Sequence, residues 1–179
     1  MSRKIVIHSD GSASIKARNG GWGFVLRYAG ATVTRSGRAD GTTISVMELT
    51  AIQRALRFLN ATDIPVAIYS DSKYALNAIG AWGDVWEQES WITSTGKHVS
   101  HVDLIKDIRR LVALHRSIRT VELEWIKGHA GHADNHIADE LAGKARRDPS
   151  TVTWTAADWK FHKHYDSLYG QHNTTTRTV

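Results

Sequence analysis

Four acidic residues stand in settings where they can do chemistry together. Asp10 closes the apolar run Ile5-Val6-Ile7-His8-Ser9, and Asp71 closes Val66-Ala67-Ile68-Tyr69-Ser70. Asp139 lies in Ala138-Asp139-Glu140-Leu141-Ala142, one loop beyond Trp125-Ile126, and Glu48 sits between Met47 and Leu49. Crowded carboxylates repel one another and hold their protons more tightly; a divalent cation removes that penalty. A set that offers only oxygen donors suits Mg²⁺ or Mn²⁺ rather than zinc. Two such ions, about 3.5–4 Å apart, can activate a water and stabilise the leaving oxygen of a phosphodiester. One Asp at a strand end is commonly a turn or cap residue, so the signal is four in matching contexts. His129, between Gly128 and Ala130 and just ahead of Asp139, adds an imidazole, a group that exchanges protons near neutral pH. His132 and His136 stand four residues apart, a spacing compatible with a zinc-binding pair. No third ligand has an obvious place, so they are assigned to loop and helix surface.

The elements that must position these groups can be read from periodicity. Ile5–Ile7 is apolar on both faces and predicts a buried central strand that ends at Asp10-Gly11-Ser12. Trp22, Phe24, Leu26 and Tyr28 alternate, Ala29-Gly30 turns the chain, and Thr32–Ser36 returns, which predicts an antiparallel meander. Thr42 or Thr43 caps a helix that places Leu49, Ile52, Leu56 and Leu59 inward. That helix is a crossover, so the strand Val66–Tyr69 lies parallel in the sheet. If it neighbours the first strand, Asp10 and Asp71 share the C-terminal edge, where α/β sheets build their sites. Short helices follow to Ile79 and over Trp82–Glu89, then a polar loop over Ser90–Ser100. Next come an amphipathic helix with Leu104, Ile105, Ile108, Leu111, Val112 and His115, a half-exposed strand with Val121, Leu123 and Trp125, and a helix from Asp134 to Arg147 with Ile137, Leu141 and Ala145 inward. The order predicts an α/β fold, a mixed sheet flanked by helices.

Composition sets outer bounds. The chain has 179 residues, 41% hydrophobic and 23% charged, enough for one domain with its own core and a short appendage. It has no Cys, which excludes a disulfide framework or thiolate metal site and fits a reducing compartment. The apolar run after Met1-Ser2-Arg3-Lys4 is too short for a signal peptide or a membrane span, so a cytoplasmic protein without membrane attachment is expected. A formal net charge of +5 attracts polyanions, nucleic acid above all, although many soluble proteins are mildly basic. The composition changes near Pro149: residues 1–148 are expected to form the catalytic domain. Residues 149–179, with Trp154, Trp159, Lys160, Lys163, Tyr165 and Tyr169, are expected to form an aromatic, basic extension with a short helix near 156–168 and a disordered end.

Five segments in register carry a resemblance: Asp10-Gly11-Ser12, Met47-Glu48-Leu49, Asp71-Ser72, Lys127-Gly128-His129-Ala130-Gly131-His132 and Asp139-Glu140-Leu141-Ala142. Together, over about Lys4 to Arg147, they resemble bacterial-type ribonuclease HI. The resemblance implies a ribonuclease H-like fold with a five-stranded mixed sheet. It implies an endoribonuclease that cuts the RNA strand of RNA–DNA hybrids with two Mg²⁺ ions, Mn²⁺ substituting, and leaves 3′-hydroxyl and 5′-phosphate ends. Carried over by position, Asp10, Glu48, Asp71 and Asp139 are the expected metal ligands, with Asp10 shared between the ions. His129 is the expected loop histidine in proton transfer and product release. Ser12 backbone and Glu48 would contact 2′-hydroxyls, the group that distinguishes RNA from DNA. Trp86 resembles the aromatic that packs on the DNA strand, and Asn135 falls among the substrate-binding positions. Thr43 fits the family's DNA-phosphate pocket, but Ile44 stands where an Asn is usual, and Lys73 offers an alternative phosphate contact. The segment Trp86-Glu87-Gln88-Glu89 makes the usually basic handle weakly charged. A monomer is expected. A junction resolvase or transposase core, or a hybrid-binding module without catalysis, would be the rivals. The glycine–histidine loop and the glutamate motif argue against the first, and the complete carboxylate set against the second.

Overall fold

The computed structural model describes residues 4–59 and 61–150. Three strands open the chain: β1 (Ile5–Ser14), β2 (Asn19–Tyr28) and β3 (Ala31–Asp40). After α1 (Ile44–Phe58) comes β4 (Val66–Ser70), then α2 (Lys73–Ile79), α3 (Ala81–Gln88), α4 (Val102–Arg116), β5 (Val121–Trp125) and α5 (Ala133–Arg147). The sheet order is β3-β2-β1-β4-β5. β1 pairs antiparallel with β2 and parallel with β4, and β4 pairs parallel with β5. This is the expected five-stranded mixed sheet, with β1 and β4 side by side at its centre.

The core lies between the sheet and α1, α2 and α4. Ile7, Ile68, Leu49, Ile52, Leu56, Ile105, Ile108 and Leu111 are fully buried there. α1 starts at Thr43, not Thr42: the Thr43 hydroxyl accepts the Val46 N–H at 3.4 Å. Ser72 caps α2 in the same way, through Ala75. Arg109 on α4 ties down the end of α2 and the start of α3. Its guanidinium donates to the Ile79 carbonyl at 2.6 Å and pairs with Asp84 and Glu87, each at 2.9 Å.

Three expectations need correction. β1 does not end at Asp10-Gly11-Ser12; it runs through them to Ser14, because β2 keeps pairing as far as Asn19. Asp10 is therefore a strand residue with a rigid backbone. On α5, Ile137 and Leu141 are only half-buried, while the buried face is Asn135, Ala138, Ala142 and Ala145. The reason is close approach. A Cβ at Gly21 would meet the Ala142 carbonyl and lie 2.6 Å from Arg146 N, and one at Gly23 would lie 2.7 Å from the Ala138 carbonyl. Glycines on β2 and alanines on α5 let the helix sit directly on the strand. Trp125 does not point into the core and is 46% exposed. The helix expected near 156–168 lies outside the described residues. Among the described residues, no helix is long and apolar enough to cross a membrane.

Candidate active site

The parallel pairing of β1 with β4 brings their C-terminal ends together, and α1 presents Glu48 to the same edge. Ligand oxygens of Asp10, Glu48 and Asp71 lie within 4.8 Å of one another. Asp10 and Glu48 are 6% and 8% exposed, which is rare for carboxylates unless they are paired or hold a metal. The first turns of α1 approach β1 closely enough that a Cβ at Gly11 would lie 2.5 Å from Glu48 N; Gly11 is what lets Glu48 into the site.

The electrostatics are those of carboxylates crowded together at a buried edge. Burial first, then the charge of Asp71, pushes the Asp10 carboxyl up to about 7, against the Gly11 N–H that donates to Asp10 Oδ1 at 2.7 Å. Burial first, then Asp10 and Asp71, pushes Glu48 up to about 9. Burial and the neighbouring carboxylates thus favour the protonated form of Glu48, whose carboxyl is within hydrogen-bonding reach of Asp10. Its Oε2 is buried and has no hydrogen-bond partner among the described residues. An oxygen-only donor set, two carboxyls held back from ionising and one oxygen without a partner fit a hard divalent cation such as Mg²⁺ or Mn²⁺.

Asp71 is held from three sides. The Trp125 indole N–H donates to its backbone carbonyl at 3.1 Å. Asn135 Nδ2 stands 3.5 Å from its Oδ2. Gly128 packs so closely that a Cβ there would lie 2.6 Å from the same oxygen. Lys73 does not reach out as a free cation; its ammonium lies over the Trp125 ring, 4.3 Å from the centroid. From sequence, Gly128 stood inside the Lys127–His132 motif and Trp125 at the end of a strand, but neither was given a role at Asp71.

Asp139 is half-buried on α5, outside the 4.8 Å cluster. It is near enough that its charge helps hold the Asp10 proton. It lines a pocket of about 380 Å³ with His129, His132, Asn135 and His136. His129 has a φ of 55°, in the left-handed region that disfavours side-chain-bearing residues. Its side chain lines the same pocket as Asp139.

The other expected positions are more dispersed. The Ser12 hydroxyl accepts from Arg146 Nε at 3.1 Å, which anchors the end of α5 to β1. Asn135 is 4% exposed and faces Asp71 rather than solvent. Thr43 is occupied as the α1 cap. Trp86 is half-buried against the core, with the 43%-exposed Trp82 ring 5.9 Å away. The two line an open apolar groove with Val85 and Ile92.

The RNase H family model matches residues 2–147. The Ribonuclease H of Marinobacter nauticus is 40% identical over 148 residues, covering 83% of this chain and 97% of that protein. The Ribonuclease H of Chlorobium luteolum is 42% identical over 146 residues, covering 81% and 97%. Among solved structures, a type 1 RNase H with the type 2 active-site motif superposes with a TM-score of 0.70 at 23% identity, covering 99% of this chain and 87% of that one. A foamy viral protease–reverse transcriptase in complex with RNA/DNA hybrid superposes with a TM-score of 0.67 at 21% identity, covering 81% of this chain and 20% of that one. The structures establish the fold; the family match and the two sequence relatives establish that this chain belongs to the RNase H family, nucleases that act on RNA–DNA hybrids.

Proposed function

We propose that the protein hydrolyses the RNA strand of RNA–DNA hybrids internally, leaving 3′-hydroxyl and 5′-phosphate ends. The observation that carries this reading is the convergence of Asp10, Glu48 and Asp71 oxygens within 4.8 Å at the sheet edge. Asp10, Glu48 and Asp71 would hold two Mg²⁺ ions, with Mn²⁺ as a substitute and Asp139 as the fourth ligand from α5. When bound, the ions supply an activated water and stabilise the charge on the leaving oxygen. The chain's own groups do the rest. The rigid β1 backbone fixes Asp10, while Trp125, Asn135 and Gly128 fix Asp71. Glu48 gives up its proton when the site is neutralised. His129, exposed on its loop, accepts and returns a proton at the mouth.

Discrimination for RNA requires contact with the 2′-hydroxyl, a contact that Ser12 backbone and Glu48 would make. Thr43, Lys73 and Trp86 would contact the DNA strand, and Asn135 serves the site through Asp71. Contacts to backbone rather than base edges give little sequence preference. We read residues 1–148 as the catalytic domain, 149–179 as an extension, and the protein as a cytoplasmic monomer. The test is incubation with end-labelled RNA–DNA hybrid, duplex DNA and duplex RNA, with Mg²⁺ or with EDTA. Cleavage of the RNA strand of the hybrid alone, and only with the metal, is expected. Absence of Mg²⁺-dependent hybrid cleavage, or equal cleavage of duplex DNA, would overturn the reading.

A further inference from the structure

The last turn of α5 brings a half-buried guanidinium to β1 with no acid to pair it. Arg146 Nε donates to the Ser12 hydroxyl at 3.1 Å. Among the described residues its side chain makes no other hydrogen bond and no ion pair. Arg27, Arg38, Arg57 and Arg109 differ: each meets a carboxylate, at 2.6, 2.8, 2.7 and 2.9 Å. The backbone of Arg146 is fixed as well. Ser12 pairs with Gly21 on β2, and the bare Gly21 admits Arg146 N, which would lie 2.6 Å from a Cβ there. Arg38 Nη1 donates to the Arg146 carbonyl at 2.6 Å, one of the acceptors that a helix end leaves open.

Asp10 and Ser12 share one face of β1, about 7 Å apart along the strand. Asp139 and Arg146 share one face of α5, two turns or about 10 Å apart. Both elements thus carry a carboxylate at the candidate metal edge and a neutral or cationic donor one step beyond it. A half-buried charge without a partner is costly, and an anion arriving from outside removes that cost. The planar fork of N–H donors that Ser12 leaves unengaged matches a phosphate. Its distance from Asp10 is too great for the phosphate under attack and suits a neighbouring one. We propose that Arg146 is a substrate-binding residue that grips an RNA-strand phosphate next to the scissile one, with Ser12 and Arg38 aiming its guanidinium. Because the fork is held before the substrate arrives, little freedom is lost on binding. The proposal rests on the ribonuclease reading and adds to it a residue that fixes the register of the RNA strand.

The test compares the full chain with its Arg146→Ala and Arg146→Lys variants. Hybrid binding is measured in EDTA over a salt series. Arg146→Ala binds about tenfold more weakly, and its slope of log affinity against log salt falls by about 1. Arg146→Lys keeps the slope and loses part of the affinity, because a point charge replaces the fork. In Mg²⁺, Arg146→Ala raises KM and leaves kcat near the wild-type value. A second arm moves a single uncharged 2′-deoxy methylphosphonate linkage along the RNA strand, with a 2′-deoxy phosphodiester at the same place as control. One position beside the cleavage site weakens wild-type binding and leaves Arg146→Ala unaffected. Unchanged affinity and slope in Arg146→Ala overturn the proposal. So does a lower Tm with the slope unchanged, which marks a purely structural role. So does coupling to a linkage of the DNA strand, or equal coupling to every linkage. Wild type that cleaves no hybrid with Mg²⁺ sinks the ribonuclease reading. Wild type that cleaves, beside an Arg146→Ala variant that binds equally well, sinks this proposal alone.

Discussion

Replacing Asp10 by Asn should make the metal-free protein more stable while abolishing its activity. Asp10 is 6% exposed. Burial and the neighbouring Asp71 raise its carboxyl from the ordinary 3.8 to about 7. A carboxyl raised on folding binds its proton more tightly in the folded state, so stability falls as pH rises through that window and the full cost is present above it. Three pH units at about 1.4 kcal/mol each set a ceiling of about 4 kcal/mol. Asn keeps the shape, and its carbonyl can still accept the Gly11 N–H, but some cost of burying a polar group remains. A gain of about 2–4 kcal/mol is expected, or a Tm higher by roughly 5–15 °C for a chain this long. The assay is thermal unfolding in EDTA at about pH 8 and about pH 5, repeated with Mg²⁺. At about pH 5 the gain should be less than half, since little of the titration window has been crossed. Mg²⁺ should narrow the gap by stabilising the wild type through binding. A variant no more stable than wild type in EDTA at the higher pH, or a gain independent of pH, would refute the reasoning.

Other perturbations test other links. His115 is fully buried, its Nε2 2.8 Å from the Leu56 carbonyl, and burial lowers it to about 4. Its contribution is complete above the ordinary 6.5 and is lost as pH falls toward 4, worth up to about 3 kcal/mol; His115→Gln should flatten the acid side of a stability–pH profile. Gly21→Ala forces β2 and α5 apart, because its Cβ meets helix backbone; denaturant titration should show a loss of about 1–3 kcal/mol or more. Gly128→Ala pushes on the Asp71 carboxylate rather than on the core, so cleavage should fall by about tenfold to a hundredfold with little change in Tm.

The skeleton of the site was legible because it rests on period and punctuation. The doubly apolar β1 and β4 runs and the crossover helix made the two strands parallel, and put Asp10 and Asp71 on one edge on the condition that the strands are neighbours, which the β1–β4 pairing meets. The close helix–strand contact was not, because sequence favours large apolar residues such as Ile137 and Leu141 as the inward face. Only the β2 glycines reveal that small residues are wanted there. Nor was the end of β1 legible: Asp10-Gly11-Ser12 reads as a turn, yet continued pairing with β2 makes it strand. The supports of Asp71 were hidden for a similar reason. Trp125 alternates like a core residue, and only the structure turns its indole N–H toward a backbone carbonyl.

The central claim is that three carboxylates from β1, α1 and the end of β4 act as one cation-holding centre for hydrolysis. Asp71→Asn tests it most directly, because Asn preserves the contacts with Trp125 and Gly128 while removing one charge from the cluster. Hybrid binding by the variant in EDTA, measured over a salt series, should match wild type, while Mg²⁺-dependent cleavage of the labelled RNA strand should be lost. Retained turnover at the wild-type rate would remove Asp71 from the centre and contradict the account.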